Sequence, residues 1–450
     1  MGLLDNLFKK KDAPANGAGG EFVLGIEDTF RLKDSNDIVV VGLLKGTVVP
    51  HAAAYLHSFS DTDEPITVTT VERIEINHQM VPSATDCQVA LMLKNAANAN
   101  IHIGTVLATR NITAEQVHSA YVNAIGNAYI STRKLNLSRE ELDAMSMTDM
   151  SEAWRLYQYA TRQGAISDTQ DTQRHKMDRV AEVLCQRILA QDEIHIIYNR
   201  HTGEPHMFSQ TIDNHDGTYT TTPPEIGIIT PAYLPMYKTK FNNEHWGIRS
   251  ISRGEDGAGI TNILGHSFYL NGAAAIQING PHVGVVAEKL VPKPNYDHLP
   301  EIQRPVTNPD LMRWILLIGQ MAEPNTDDEK QIFGIYYNFM LQNLTKAMFL
   351  VPMKHNNTIP EPDADGMTTM TKDTTVQLAT LPGKGERQAV RMYTDWARLK
   401  EAMGNDWDGF VQPIESLIDV FDIAINCTEH PGCGCYIDKN AFANAVERSK

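Results

Sequence analysis

The sequence lacks most of the features that reveal a function directly. It contains no apolar run near the ~20 residues needed to cross a bilayer and no secretory signal pattern, so we expect a cytoplasmic protein. It also lacks the H-E-x-x-H zinc motif, the G-x-S-x-G nucleophile elbow and the Rossmann glycine fingerprint. The Gly383-Lys384 dipeptide lacks the upstream glycine and the following Ser or Thr that a phosphate loop requires. These absences disfavour the commonest hydrolase, dehydrogenase and nucleotide-hydrolysing classes.

Cysteine and positive charge are both scarce. The five cysteines are Cys87, Cys185, Cys427, Cys433 and Cys435. Cys87 and Cys185 stand alone within apolar patterns, which is typical of reduced thiols in a core rather than of a disulfide framework. The formal net charge of −16 repels polyanions, so general nucleic-acid binding is not expected.

What remains is the composition of a globular protein of several domains. Apolar residues make up 42% and charged residues 21% of the 450 residues, which is ordinary for chains with packed cores. At about 150 residues per domain, this length predicts roughly three domains.

Residues 1–20 are interpreted as an N-terminal peptide and linker. Four apolar residues share one helical face and three lysines follow them: Leu3, Leu4, Leu7, Phe8 and Lys9–Lys11. Such a peptide suits an anionic membrane surface or a groove on a partner, and it equally suits a frayed terminus with a solubilising charge run. Membrane contact is expected only through residues 1–11.

Residues 21–110 carry short β-rich runs separated by turn residues. The clearest runs are 37–42, 46–49, 71–76 and 87–93. Closely spaced strands of this kind favour a small closed barrel, in which no strand edge is left exposed. We therefore predict an N-terminal β-barrel over 21–110.

Three segments of this barrel resemble the second domain of translation elongation factors of the Tu family. Segment 44–49 is similar to that domain's Gly-Thr-Val strand, 84–91 to its Ala-Gly-Asp-x-Val-Ala-Leu strand, and 103–108 to its closing segment. In that family the barrel accompanies a GTPase domain, whereas no phosphate loop precedes it here. The resemblance implies a reused interaction module, and by analogy of fold alone it suggests contact with the ribosome or tRNA.

Residues 111–175 are predicted to form a helical connector. Thr113 and Ser138 begin the capping-box strings Thr-Ala-Glu-Gln and Ser-Arg-Glu-Glu, each of which opens an apolar-periodic stretch. Two or three helices are expected from these stretches. The polar segment 163–173 is predicted to be a surface loop, and the next helix is expected to start near Met177.

The last two-thirds of the chain repeat one order of segments. The first copy, 176–292, has a helical run and then apolar strands at 194–198, 226–231 and 274–279. The second copy, 313–450, has a helical run and then strands at 347–352, 390–395 and 422–426. Self-similarity of this kind predicts two copies of one module, and strands too apolar to be half-exposed predict mixed sheets carrying helices. The proline-rich stretch 293–312 is predicted to be a linker.

Together these segments predict a multidomain α+β protein. Its parts are a small N-terminal β-barrel, a helical connector and two α/β modules.

The layout of the two modules resembles the SseB family, named for enhanced serine sensitivity in bacteria. In the second copy the landmarks are Phe349-Leu-Val-Pro352, Met392-Tyr-Thr-Asp-Trp396 and Ile425-Asn426. In the first copy they are Ile229-Thr230-Pro231 and Ile278-Asn279-Gly280, with Pro231 where the family has Asp. The resemblance implies bacterial, cytoplasmic, non-catalytic SseB-like domains and transfers no catalytic residues.

The densest group of possible metal ligands lies near the C-terminus. It consists of Cys427, His430, Cys433 and Cys435. Three thiolates and one imidazole would satisfy tetrahedral zinc. Only one residue separates the last two cysteines, however, so a glycine-rich structural turn is the favoured interpretation, with zinc and a redox disulfide as alternatives. No other cofactor is expected.

These features predict a non-catalytic bacterial scaffold or regulatory protein that binds protein partners. The first alternative is a small-molecule binding protein or enzyme of amino-acid metabolism, with its pocket where the two copies meet. The second alternative is a ribosome- or tRNA-associated factor that acts through the barrel.

Overall fold

The computed structural model describes residues 20–33, 35–57, 66–281, 283–300, 303–321, 323–356 and 374–448. The peptide predicted over 1–11 lies outside the described residues. The chain is a multidomain α+β protein that divides into two compact units. One unit comprises residues up to 188 together with 230–235 and 278–283, and the other comprises 189–229, 236–277 and 284–450. Within the described ranges, none of the helices combines the length and the apolar character that crossing a bilayer requires.

The first unit begins with a closed six-stranded barrel, which confirms the predicted N-terminal β-barrel. Its strands are β1 (Phe22–Arg31), β2 (Ile38–Val48), β3 (Ala53–His57), β4 (Thr67–Ile76), β5 (Gln79–Met80), β6 (Ala84–Thr85), β7 (Gln88–Lys94) and β8 (Val106–Ala108). The order β1-β8-β3-β4-β7-β2 closes because β1 also pairs with β2. The short strands β5 and β6 pair with β4 and β2. Alternate residues of β2, among them Ile38, Val40 and Leu44, point into the core and are fully buried.

Helices follow the barrel in the same unit. They are α1 (Ala114–Ile125), a π-helical turn (Gly126–Ser131), α2 (Arg139–Ala144), α3 (Met147–Arg162) and α4 (Gln170–Ala190). The capping boxes predicted at Thr113 and Ser138 are confirmed. Each side chain accepts the backbone N–H of the third helical residue, and the side chain of that residue accepts the backbone N–H of the cap. Helix α4 begins earlier than the predicted Met177. Its first turns are largely solvent-exposed, so they lack the apolar periodicity from which a helix start is predicted.

The first α/β module contains a six-stranded sheet and a separate two-stranded sheet. Its elements are β9 (Glu193–Asn199), β10 (Met207–Phe208), β11 (Thr211–Asp213), β12 (Tyr219–Thr221), β13 (Glu225–Ile229), α5 (Leu234–Lys240), β14 (Trp246–Ser252), α6 (Gly259–Tyr269), β15 (Ala275–Ile278), β16 (Gly284–Val286) and α7 (Ala287–Leu290). The strand order is β14-β9-β13-β15-β16. The pairs β14–β9, β9–β13 and β15–β16 are antiparallel.

The second α/β module contains the remaining elements. They are α8 (Pro309–Gly319), α9 (Asp327–Leu344), β17 (Phe349–His355), β18 (Val376–Leu378), β19 (Thr380–Pro382), β20 (Gln388–Met392), α10 (Trp396–Met403), β21 (Asp408–Gln412), β22 (Asp422–Ile425), β23 (Cys435–Ile437) and α11 (Lys439–Arg448). Two short sheets, β18-β17-β21 and β19-β20-β22-β23, meet at an antiparallel bridge between Leu350 and Tyr393. Helix α8 begins inside the stretch that was predicted to be linker.

The two modules use the same order of strands. Across the bridge, the second module reads β21-β17-β20-β22-β23, and the first reads β14-β9-β13-β15-β16. In each, the first two neighbours and the last two neighbours are antiparallel. Strands β20 and β22 are parallel, with a helix and a further strand between them along the chain.

A hydrogen-bonded pair of threonine and asparagine recurs beside these strands. After β13, the backbone N–H of Thr230 donates to Asn279 Oδ1 at 2.9 Å. After β20, the backbone N–H of Thr394 donates to Asn426 Oδ1 at 3.0 Å. Both asparagines have left-handed backbones, with φ of 53° and 50°, and both donate Nδ2–H back to the threonine hydroxyl. We call these two sets of contacts the Thr–Asn pairs.

Candidate functional site

The most distinctive site in the second unit is built around a buried arginine, Arg398. It lies in the first turn of α10, whose N-cap is Asp395. Asp395 Oδ1 accepts the backbone N–H of Arg398 at 3.0 Å, and its Oδ2 accepts Nη1–H at 2.6 Å. The side chain of Arg398 is 2% exposed. One carboxylate therefore both caps the helix and neutralises a charge that burial alone would make costly.

Arg398 also reaches residues of the first module. Its Nη2 donates to Glu204 Oε1 at 2.7 Å and to Asn271 Oδ1 at 2.6 Å. Glu204 follows β9, and Asn271 follows α6. Asn271 Nδ2 donates in turn to Glu204 Oε2 at 2.9 Å, and His266 Nε2 lies 3.1 Å from Glu204 Oε1. These five residues form what we call the Arg398 network, which joins the two modules.

The charges of the network stabilise one another. Burial alone would raise the pKa of Glu204, but the hydrogen bond and charge of His266, together with Arg398, lower it to about 2. Burial also opposes ionisation of Asp395, yet the adjacent Arg398 charge holds the pKa of that carboxyl below its usual value. Burial would lower the pKa of Arg398, and the two carboxylates raise it instead. Glu204, Asp395 and Arg398 are therefore ionised near neutral pH.

A cleft of about 580 Å³ lies beside this network, entirely within the second unit. Its lining residues on the first module are Tyr198, Thr202, Gly203, Glu204, Arg249, Gly259, Asn262, Ile263 and His266. Its lining residues on the second module are Arg398, Glu401, Thr428, Glu429, His430 and Cys433. The volume falls within the range of pockets that take small molecules. Because both modules contribute a wall, their relative placement determines the shape of the cleft.

Arg249 is held against the first-module wall by an aromatic ring. Its guanidinium carbon lies 4.1 Å from the centre of the Tyr198 ring, which is a cation–π contact. Its Nη1 also lies 3.4 Å from the backbone oxygen of Gly203. Among the described residues, no carboxylate forms an ion pair with Arg249. The Tyr198 side chain and the backbone oxygen of Gly203 thus hold Arg249 at the cleft.

The four residues that were predicted as metal ligands do not all line the same cavity. His430 and Cys433 line the cleft, whereas Cys435 lines a different cavity of about 250 Å³, and Cys427 lines neither. Cys433 Sγ donates to the backbone oxygen of Thr202 at 2.6 Å. Within the described ranges, no three His, Cys, Asp or Glu side chains are placed to hold one ion.

The thiols in this segment are held in their protonated form. Burial raises the pKa of Cys433 to about 12, and it raises the pKa of Cys435 to about 12. Burial likewise raises the pKa of Cys427. Nucleophilic attack requires the thiolate, so a high pKa disfavours that chemistry at neutral pH. Zinc at these residues remains a prediction.

The glycines of the same segment allow two backbones to touch. Gly432 lies in the short 3₁₀ turn Pro431–Cys433, opposite Gly319 at the end of α8. A Cβ atom on Gly319 would lie 1.9 Å from the backbone oxygen of Gly432. Any side chain at Gly319 would force the turn and the helix apart, so the glycine-rich composition has a packing role here.

The residues that build the site were not identified from the sequence. Glu204, His266 and Arg398 are far apart in the chain, and only the fold brings them together. One local signal was present: Asp395 and Arg398 are three residues apart at a helix start, which is the spacing of an N-cap carboxylate with a basic residue in the first turn.

Comparisons with known proteins identify no family. A scan against protein-family models and a search of curated proteins each gave no match. Among solved structures, the chain is similar to translation elongation factor SelB from Methanococcus maripaludis, in its apo form and in complex with the GTP analogue GPPNHP. In both, the similarity covers 20% of this chain and 19% of that chain, at 18% identity and a TM-score of 0.18. The chain thus spans about a fifth of the length of the structures it matches.

Proposed function

We propose that this chain is a non-catalytic regulatory protein that binds a small polar ligand in the cleft between its two α/β modules. The observation that carries this proposal is that both modules line the cleft while the Arg398 network joins them beside it. A ligand that contacts both walls would change how the modules hold together. Regulation by ligand requires such a difference in contacts between two states.

The proposal includes a common origin for the two modules. The shared strand order and the two Thr–Asn pairs support the interpretation that one SseB-like module is present twice. Duplicated modules commonly create a pocket where they meet, since each contributes a face that neither has alone.

The state of Glu204, Arg398 and Cys433 supports the assignment as non-catalytic. Glu204 and Arg398 are already bound to each other, and Cys433 is a buried thiol whose pKa is raised to about 12 by burial. General acid–base chemistry at neutral pH favours groups whose pKa lies near the working pH. An ionised Glu204–Arg398 pair with engaged partners instead fits a wall that binds a ligand.

Thermal unfolding of the full chain with a panel of amino acids, short peptides and nucleotides tests this proposal. A ligand that binds only the folded state raises the unfolding temperature in a concentration-dependent way. The variant Asn262→Trp places a large side chain in the cleft and should abolish that rise. Thr261→Trp, one residue earlier and outside the cleft lining, is the matched control. Recovery of a chemically altered ligand would contradict the non-catalytic assignment.

A second candidate is a protein partner at the barrel. Ile66 and Val68 lie two residues apart and are 55% and 60% exposed. Val68 is directly opposite Tyr55 on the neighbouring strand, so apolar side chains on two adjacent strands face outwards together. Val68→Asp should then abolish a stoichiometric complex, whereas Lys45→Asp, on another exposed position of the barrel, should leave it intact. Equal recovery of partners by both variants would remove this candidate.

A further inference from the structure

The charged groups that line the cleft fall into two sets. The first set is already engaged: Glu204, His266 and Arg398 contact one another. The second set comprises Arg249 on the first module and Glu401 and Glu429 on the second. Among the described residues, Glu401 forms no ion pair, and Glu429 approaches only His430, at 3.6 Å.

These charges have one sign on the first module and the opposite sign on the second. The first-module wall presents the guanidinium of Arg249, and the second-module wall presents the carboxylates of Glu401 and Glu429. Glu401 follows Arg398 by three residues on α10, so it projects from the same side of that helix towards the cleft. Arg249 and Glu401 both line the cleft, and among the described residues they form no ion pair with each other.

We infer that the cleft binds a small zwitterion, a molecule that carries one carboxylate and one ammonium group. The carboxylate lies at Arg249 and the ammonium group lies between Glu401 and Glu429. This inference rests on the proposed function and adds the chemical class of the ligand. A planar guanidinium held against a ring is suited to a carboxylate, because it offers parallel N–H donors with little freedom left to lose.

The same arrangement explains how the ligand would act on the protein. A molecule with a single charge engages only one wall and leaves the opposite charge unpaired. A zwitterion engages both walls and therefore holds the two modules together. Free amino acids and short peptides share this chemistry, and the cleft volume of about 580 Å³ accommodates either.

Calorimetric titration of the full chain tests the inference with defined probes. The probes are the twenty standard L-amino acids and the dipeptides that each forms with alanine. Every probe that binds is then compared with its N-acetyl form, which lacks the ammonium group, and with its C-terminal amide, which lacks the carboxylate. We expect each blocked form to bind at least about tenfold more weakly, as is usual when a charged hydrogen bond is lost.

Variants of the two walls provide an independent readout. Arg249→Gln should weaken the parent probe and its N-acetyl form but not the amide, which has no carboxylate to lose. Glu401→Gln should weaken the parent and the amide but not the N-acetyl form. Arg253→Gln and Lys400→Gln, close in sequence but outside the cleft lining, are the matched controls and should bind like the unaltered chain.

The outcomes separate this inference from the proposed function. If no probe binds, the zwitterion inference is overturned. If, in addition, no other member of the panel raises the unfolding temperature in a way that Asn262→Trp abolishes, the proposed function is overturned as well. If inorganic phosphate or the N-acetyl form binds as tightly as the zwitterion, the cleft is a site for anions. If the amide binds as tightly, the cleft is a site for cations. The zwitterion assignment then fails while the proposed function stands.

Discussion

The two α/β modules share one order of strands but differ in the residue that follows the threonine of each Thr–Asn pair. In the first module Thr230 is followed by Pro231, which begins a short 3₁₀ turn. In the second module Thr394 is followed by Asp395, which caps α10 and binds Arg398. The uncharged pair thus recurs in both modules, whereas only in the second is its threonine followed by a residue of the Arg398 network. The two modules therefore have the same strand order but place their charged residues differently.

The largest effect is expected from removing the centre of the network. Arg398→Met leaves Glu204 and Asp395 as buried carboxylates without their cation. Breaking a buried ion pair in this way costs about 3–5 kcal/mol of unfolding free energy. Urea denaturation measures the loss. The control is Arg174→Met, an exposed pair with Asp171, which should cost below about 1 kcal/mol.

A second prediction concerns acid. The pKa of Glu204 is lowered in the folded state from its ordinary 4.5 to about 2, so its stabilising contribution is complete above pH 4.5 and is lost as the pH falls towards 2. A shift of this size corresponds to about 2–4 kcal/mol. Glu204→Gln should therefore flatten the dependence of unfolding free energy on pH in that window. An unchanged acid slope in this variant would show that other carboxylates dominate.

The Thr–Asn pairs are expected to respond alike in both modules. Asn279→Ala and Asn426→Ala each remove the acceptor of a backbone N–H and place alanine at positive φ. Each should cost about 2–3 kcal/mol, from the unsatisfied donor and the unfavourable backbone. Asn426→Gly should recover about 1 kcal/mol, because glycine tolerates that φ. Calorimetric unfolding gives both losses, and a loss in one module only would argue against equivalent roles.

The smallest effect distinguishes the two threonines. Thr230→Val loses hydroxyl contacts with Asn279 and with Thr148. Thr394→Val loses a contact with Asn426 and a 2.9 Å hydrogen bond to the carboxylate of Asp395. Hydrogen bonds to charged groups are stronger, so Thr394→Val should cost about 0.5–1 kcal/mol more than Thr230→Val. Equal losses would mean that the hydroxyl adds nothing to the Arg398 network.

The sequence was sufficient for features that are local in the chain. The capping boxes at Thr113 and Ser138 form as predicted, and Thr326 and Glu329 form a third at the start of α9. The barrel was predicted from β-rich runs with turns between them. Strand β3 (Ala53–His57) escaped notice because its alanines carry little β-propensity and its burial comes from barrel closure.

The candidate site could not be predicted in the same way. Glu204 and Arg398 are separated by 194 residues, and no spacing rule relates them. Helix α8 was missed for a related reason: Pro309 at its first turn was counted with the prolines of the linker, although proline is favoured at that position. The cysteines of the second module were considered as metal ligands because three of them lie close together in the sequence. The sequence did not show that burial raises the pKa of Cys433 and Cys435.

The contact between Gly319 and Gly432 has a mechanical consequence for the second module. With no room for even one carbon between the two backbones, the turn that carries Cys433 cannot slide over the end of α8. The helix and the turn are therefore expected to move together, so an occupant of the cleft that displaced His430 would also displace α8.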